Sequence, residues 1–146
     1  MAAELRIDRN TGDIRIGDVM ILRPNQTKSL IEPMIANLLK GSRDHGNGFE
    51  WLDLRDLTFG GKPAALSLCF HDGRLEQVSW SVQLHGAPME SGWPTRDAIE
   101  HELLFVRETL LQDMNIQPGK MPWGEVWSSF DAKGFLAANG LRYRHA

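Results

Sequence analysis

The sequence predicts an α+β fold: an antiparallel sheet of roughly six to eight strands with two helices, about 29–40 and 95–114, packed mainly on one face. Three observations carry this expectation. Two runs of alternating apolar and polar residues flank an Asp-Gly loop within residues 64–84, a strong local hairpin signal. Two other segments repeat their apolar residues at helical spacing. A second pair of alternating runs, 123–130 and 135–143, meets around Asp131-Ala132-Lys133-Gly134. The length of 146 residues suits one domain, 1–146, large enough to bury a stable core without covalent staples.

Residues 5–22 read as three short strands. Leu5 and Ile7 alternate with Arg6 and Asp8, and Asn10-Thr11-Gly12-Asp13 is turn chemistry. Ile14 and Ile16 alternate again, and Val19 to Leu22 forms a third run before Pro24. From 29 to 40, Leu30, Ile31, Met34, Ile35, Leu38 and Leu39 form one apolar stripe. Ser29-Leu30-Ile31-Glu32 has the form of a capping box, while Pro33 offers a second starting point, since proline suits the first helical position. Gly41 is a natural stop. Gly41 to Gly48 reads as a flexible polar loop. Phe49 to Leu57 reads as a strand with Trp51 and Asp53 on one side and Leu52 and Leu54 on the other.

In the central hairpin the loop length decides the register. A two-residue Asp72-Gly73 loop sets Leu68 against Gln77 and Ser67 against Val78, apolar against polar. A three-residue loop, His71-Asp72-Gly73, sets Leu66 against Val78 and Ala64 against Trp80, and is preferred. Leu66, Leu68, Val78, Trp80 and Val82 then share the core face; Ser67, Cys69, Ser79, Ser81 and Gln83 share a wetter one. His85 to Pro94 is a long loop, and Thr95 is a good N-cap for the second helix. Ile99, Leu103, Val106, Leu110 and Met114 form that helix's main stripe. Leu104, Phe105 and Leu111 widen it, so the helix is expected to be buried on more than one side. In the last hairpin, Phe130 facing Phe135 puts Trp127 opposite Ala138, a small residue that leaves room for the indole.

Composition narrows the function. The net charge is -3 with both signs interspersed, which offers no basic face to nucleic acid. Cys69 is the one cysteine, so neither an intramolecular disulfide framework nor a cysteine-based zinc site is expected. Met1-Ala2-Ala3-Glu4-Leu5-Arg6 has no apolar signal core, and no run approaches the roughly 18 apolar residues of a membrane span. The expectation is a cytoplasmic protein with no membrane partner. Asp97 and His101 stand at i, i+4, but Phe105 occupies the place where a zinc-protease pattern needs its second histidine. No metal and no cofactor is expected.

Two sets of residues are candidates for function. Cys69 and His71 share a strand face and could form a nucleophile and its base. With His85 and His101 they define a pocket reading: a small enzyme or ligand-binding protein with its site between sheet and helix. No third orienting group is visible, and a small half-buried residue beside a turn residue accounts for the pair more simply. No catalytic residue is assigned. The second set is aromatic. Five tryptophans in 146 residues is a high count. Trp123, Glu125 and Trp127 share one face of the terminal strand, and Asp131 follows in its turn. If Val126 and Phe130 join the core, that face points outward, and tryptophans flanked by charges suit a partner surface. Trp93 from the long loop is a further anchor. A helix laid over the same face would bury these residues instead.

Trp123-Gly124-Glu125-Val126-Trp127-Ser128-Ser129-Phe130-Asp131-Ala132-Lys133-Gly134, continued to Leu141-Arg142-Tyr143, resembles the C-terminus of a group of short proteobacterial proteins. They share a Trp-Gly, a Ser, an Asp-x-Lys-Gly turn and a closing Arg-Tyr, and some resemble the immunity partners of secreted toxins. The resemblance is confined to this last hairpin and brings no active site with it. It implies a bacterial source and a protein that acts by binding another protein. The expected function is therefore a non-catalytic protein-binding domain of the toxin-neutralising, immunity type, acting by occlusion. Its mild acidity would complement a basic partner. The pocket reading is the alternative, and a third is a subunit that buries its tryptophan face in a homodimer.

Overall fold

The computed structural model describes residues 2–18, 20–84, 89–90 and 92–144, with the backbone alone at 89–90. Among the described residues, ten strands form one sheet. In chain order they are β1 (Ala3–Ile7), β2 (Ile14–Ile16), β3 (Met20–Leu22), β4 (Leu39–Asp44), β5 (Phe49–Phe59), β6 (Lys62–His71), β7 (Arg74–Val82), β10 (Gly119–Met121), β11 (Gly124–Asp131) and β12 (Leu136–Tyr143). A ribbon of β8 (Met89–Glu90) and β9 (Trp93–Pro94) stands apart from it. The helices are α1 (Lys28–Ile35) and α2 (Arg96–Met114). The order across the sheet is β10-β11-β12-β7-β6-β5-β1-β2-β3, with β4 paired to the first half of β5. No helix among the described residues is long and apolar enough to cross a membrane.

The α+β class agrees with the sequence expectation; the sheet differs in size and in direction. It has ten strands rather than six to eight, and it is mixed, because β1 runs parallel to β5 with Ala3 opposite Leu57 and Glu4 opposite Thr58. Part of the excess comes from the segment read as a polar loop. Residues 39–44 form β4, an edge strand exposed along most of its length. An edge strand with both faces wet carries no apolar alternation to reveal it, and its Lys40 and Arg43 suit an edge that must not pair with another chain.

The central hairpin reaches the expected facing by another route. Asp72 (φ 50°) and Gly73 (φ 80°) form a two-residue turn, and His71 pairs with Arg74. The polar mismatch this would cause is removed by a bulge: Phe70 pairs with Leu75 but Cys69 with Gln77, so Glu76 is the extra residue. Beyond it, Leu68 faces Val78 and Leu66 faces Trp80. Leu66, Leu68, Val78, Trp80 and Val82 are all buried, as the alternation predicted.

Helix α1 is shorter than the stripe suggested. It begins at Lys28 after Thr27, which is bridged to Arg74, and Lys28 N–H donates to the Gly73 carbonyl at 2.8 Å. This anchor to the β6–β7 turn sets the start, so neither the Ser29 box nor Pro33 does. The helix stops at Ile35, two residues after Pro33, and Leu39 already belongs to β4. Helix α2 follows its sequence signals. The Thr95 hydroxyl accepts from Ala98 N–H at 3.1 Å, and Asn115 closes the other end in the left-handed conformation. Only one side of α2 is buried, however: Leu104 is 56% and Leu111 47% exposed.

Both helices feed the same core, α1 through Ile31 and Ile35 and α2 through Val106, Leu110 and Met114. The sheet curls around that core far enough for its β10–β12 end to reach the β1–β2 turn. The Trp123 indole N–H donates to the Arg9 carbonyl at 2.9 Å, and the Tyr143 hydroxyl donates to the Gly12 carbonyl at 2.6 Å. Gly12, at φ 78°, lies under the Trp123 ring, where a Cβ would overlap the indole.

One polar group is built into the junction of α2 with the sheet. Glu102 Oε2 accepts from Asn139 Nδ2 at 3.0 Å and from Val82 N–H at 3.3 Å. Asn139 in turn accepts from the Ser128 hydroxyl at 2.8 Å. Burial raises the Glu102 carboxyl pKa above its ordinary value, and the two hydrogen bonds offset this only in part. The folded state thus holds this proton more tightly than the unfolded chain does. The group's contribution to stability is fully present below the unfolded carboxylate range and is lost as pH rises through the raised folded value. Glu102→Gln keeps an oxygen that can accept both bonds and removes the charge. Thermal denaturation is expected to give a higher Tm than the parent at pH 7, with the gap closing toward about pH 4. A shift that is the same at both pH values would refute the account.

Candidate partner-binding surface

Because both helices lie inside, the alternate residues of β4–β7, β11 and β12 form an outer face. The ladder aligns them in two rows. Arg43 faces Trp51, Trp51 faces Cys69, Cys69 faces Gln77, Gln77 faces Arg142, and Arg142 faces Glu125. The neighbouring row runs Asp53, Ser67, Ser79, Gly140, Trp127. Trp51 and Trp127 thus stand toward opposite sides of the face, roughly 19 Å apart at four inter-strand spacings.

Each indole is held in place and partly open to solvent. The Arg43 guanidinium carbon lies 5.2 Å from the Trp51 ring centroid, and Arg142 lies 5.9 Å from that of Trp127. Arg43 also pairs with Asp53 at 2.8 Å, and Asp53 accepts from the Ser67 hydroxyl at 2.7 Å. Arg142 donates to Gln77 Oε1 at 3.2 Å. Trp127 lies flat over Gly140, where an added Cβ would come within 2.7 Å of the indole. Side chains fixed in this way lose little freedom on binding, which favours affinity.

The expected aromatic set divides. Glu125 and Trp127 share the outer face, as the alternation of β11 requires. Trp127 is opposite Gly140 rather than Ala138, because four residues, 132–135, form the turn and Leu136 pairs with Asp131. Phe135, not Gly134, takes the left-handed conformation there, and its ring still meets Phe130 edge-on at 5.4 Å. Trp123 precedes β11, so the strand's alternation does not reach it. It is only 9% exposed and belongs to the core. Asp131 holds the turn, its Oδ1 accepting from Lys133 N–H at 3.1 Å. Trp93 is 67% exposed, but it lies on β9, which packs near α2. Of the five tryptophans, Trp80 and Trp123 are therefore core, Trp93 is exposed, and Trp51 and Trp127 line the outer face. The sequence had already set Trp51 opposite Leu52 and Leu54; its place in one surface with Trp127 depends on strand order.

No protein-family model and no curated protein matches this chain. It is similar to a chain of the solved structure described as "Rhs1-CT in complex with cognate immunity protein RhsI1". The match covers 97% of this chain and 87% of that one, with a TM-score of 0.56 and 12% identity. The likeness is one of fold.

The described residues of the pocket reading do not converge on one cleft: Cys69 and His71 share the outer side of β6, while His101 stands on α2 on the other side of the sheet. Cys69 is buried under the outer face, and burial, with Glu76 adding to it, pushes its thiol up to about 11. At neutral pH it is a protonated thiol, the unreactive form. His71 stacks on Phe49 with ring centroids 4.3 Å apart. His101 is exposed on α2, which packs against the inner face of the sheet. His85 lies outside the described residues. Among the described residues no group of three or more His, Cys, Asp and Glu side chains is placed to hold a metal ion.

Proposed function

We propose that this protein is a toxin-neutralising, immunity-type protein that binds another protein through the outer face of its sheet and acts by occluding it. The observation that carries the reading is the pair Trp51 and Trp127, partly exposed on the face opposite α1 and α2, each with an arginine near its ring. Tryptophan and arginine are the side chains most enriched where interface energy concentrates. The shared fold with a chain from an assembly that includes a cognate immunity protein supports the same reading. Glu125 belongs to this surface with Arg43 and Arg142. The setting it implies is a bacterial cytoplasm.

The test is capture with the tagged protein and with Trp51→Ala and Trp127→Ala, each first shown to be folded by circular dichroism and thermal denaturation. Removing an anchoring indole costs about 2–4 kcal/mol of binding, so the bound partner is expected to be lost from both variants. Expressed alone, that partner should arrest growth, and co-expression of the parent protein but not of Trp127→Ala should relieve the arrest. Folded variants that retain the partner and protect as well as the parent would sink the proposal.

A further inference from the structure

The charge on the outer face is uneven. At its β10–β12 end, next to Trp127, an open cleft of about 310 Å³ is lined by Lys120, Gly124, Glu125, Arg142, Tyr143 and Arg144. Three cations there stand against one carboxylate, in a chain whose net charge is -3. Glu125 stands opposite Arg142 in the ladder and offsets part of this charge. The third arginine of the face, Arg43, is at the far end and pairs with Asp53.

We propose that the partner enters this end of the surface with an acidic segment. Its carboxylates would meet Lys120, Arg142 and Arg144, and an adjoining apolar side chain would cover the open side of Trp127. The inference rests on the docking reading above and deepens it. The chain's net charge would call for a basic partner, but a contact answers to the charges within about one Debye length, and here those are positive. Arginine offers a carboxylate two parallel N–H donors, and Arg142 is already oriented by Gln77 and by the Trp127 ring. A protein segment fits better than a nucleic-acid strand. A strand needs cations along its whole track, and the middle of the face is Ser67, Cys69, Ser79 and Gly140.

The test uses the full chain and three fluorescent probes of about 12 residues: a peptide alternating Glu with Leu and Tyr, the same peptide with Lys for every Glu, and a single-stranded oligonucleotide of matching charge. Anisotropy is read for the parent, for Trp127→Ala and for the double variant Lys120→Glu with Arg144→Glu, at about 50 and 200 mM salt. The acidic peptide is expected to bind at least about tenfold more tightly than the basic one, to weaken with salt, and to lose about tenfold or more in each variant. Tighter binding of the basic peptide or of the oligonucleotide would overturn the inference. So would acidic binding that the charge reversal leaves unchanged, or no acidic binding up to about 1 mM. None of these results touches the docking reading, which fails only if Trp51→Ala and Trp127→Ala keep the captured partner.

Discussion

Trp123→Ala lowers the stability of the protein by about 3–5 kcal/mol, the range for deleting a large aromatic from a core. The sequence pattern makes Trp123 a candidate for the surface, and the structure places it instead where the β10–β11 turn reaches the β1–β2 turn. Its ring packs edge-on against Tyr143 at 5.7 Å and over Gly12, and its N–H satisfies the Arg9 carbonyl. Alanine removes all three contacts and leaves a cavity that the backbone on either side cannot close. Trp123→Phe keeps most of the ring and loses the hydrogen bond, so it should cost about 1 kcal/mol for the bond plus a smaller packing loss. Denaturant unfolding measures both. A change below about 1 kcal/mol for the alanine variant would mean that the indole is not core. The contrast with Trp127→Ala is the informative part: two tryptophans four residues apart, one costing stability and the other costing binding.

Asn139→Ala is expected to cost about 1–3 kcal/mol, although it removes only a small amount of apolar contact. Asn139 is 2% exposed and joins Ser128, Glu102 and the Trp80 carbonyl. Without it the Ser128 hydroxyl loses its acceptor and the Glu102 carboxylate loses a donor while still partly buried. Partial exposure of Glu102 lets water recover some of that loss, which keeps the figure below the range for a fully buried ion pair. The test is a double-mutant cycle with Glu102→Gln. If the network account is right, Asn139→Ala costs less in the Gln background, where no charge is stranded. Additive effects would show that Asn139 acts through packing alone.

What could be read from the sequence was what repeats locally. Alternation in 64–84 placed Leu66, Leu68, Val78, Trp80 and Val82 in the core correctly, though Cys69, expected on the wetter face, is buried too; Thr95 marked the start of α2, because facing and capping are decided within a few residues. Register was harder. A single bulge at Glu76 restores the apolar pairing that a two-residue turn alone forbids, and Phe135 takes the left-handed place in the last turn. Strand β4 left no trace because an edge strand wet on both faces has no apolar period. The site was legible one strand at a time. Glu125 and Trp127 follow from the period of β11, but Arg142 and Trp51 join them only through the order β5-β6-β7-β12-β11. The inward turn of Trp123 depends on a residue 114 positions away, which no local pattern can show.

That distance also has a consequence for how the protein is made. The bonds that tie the β1–β2 turn to the β10–β12 end join residues 114 and 131 positions apart. At about 5–20 residues per second, a ribosome needs roughly 5–25 s to add the 114 residues between Arg9 and Trp123. During that interval the apolar sides of β1, β2 and β3 have been synthesised while the residues that bond to the β1–β2 turn have not. Formation of these two bonds is a late folding event, because their partners are far apart in the chain and the entropy of bringing them together is recovered only when both are present.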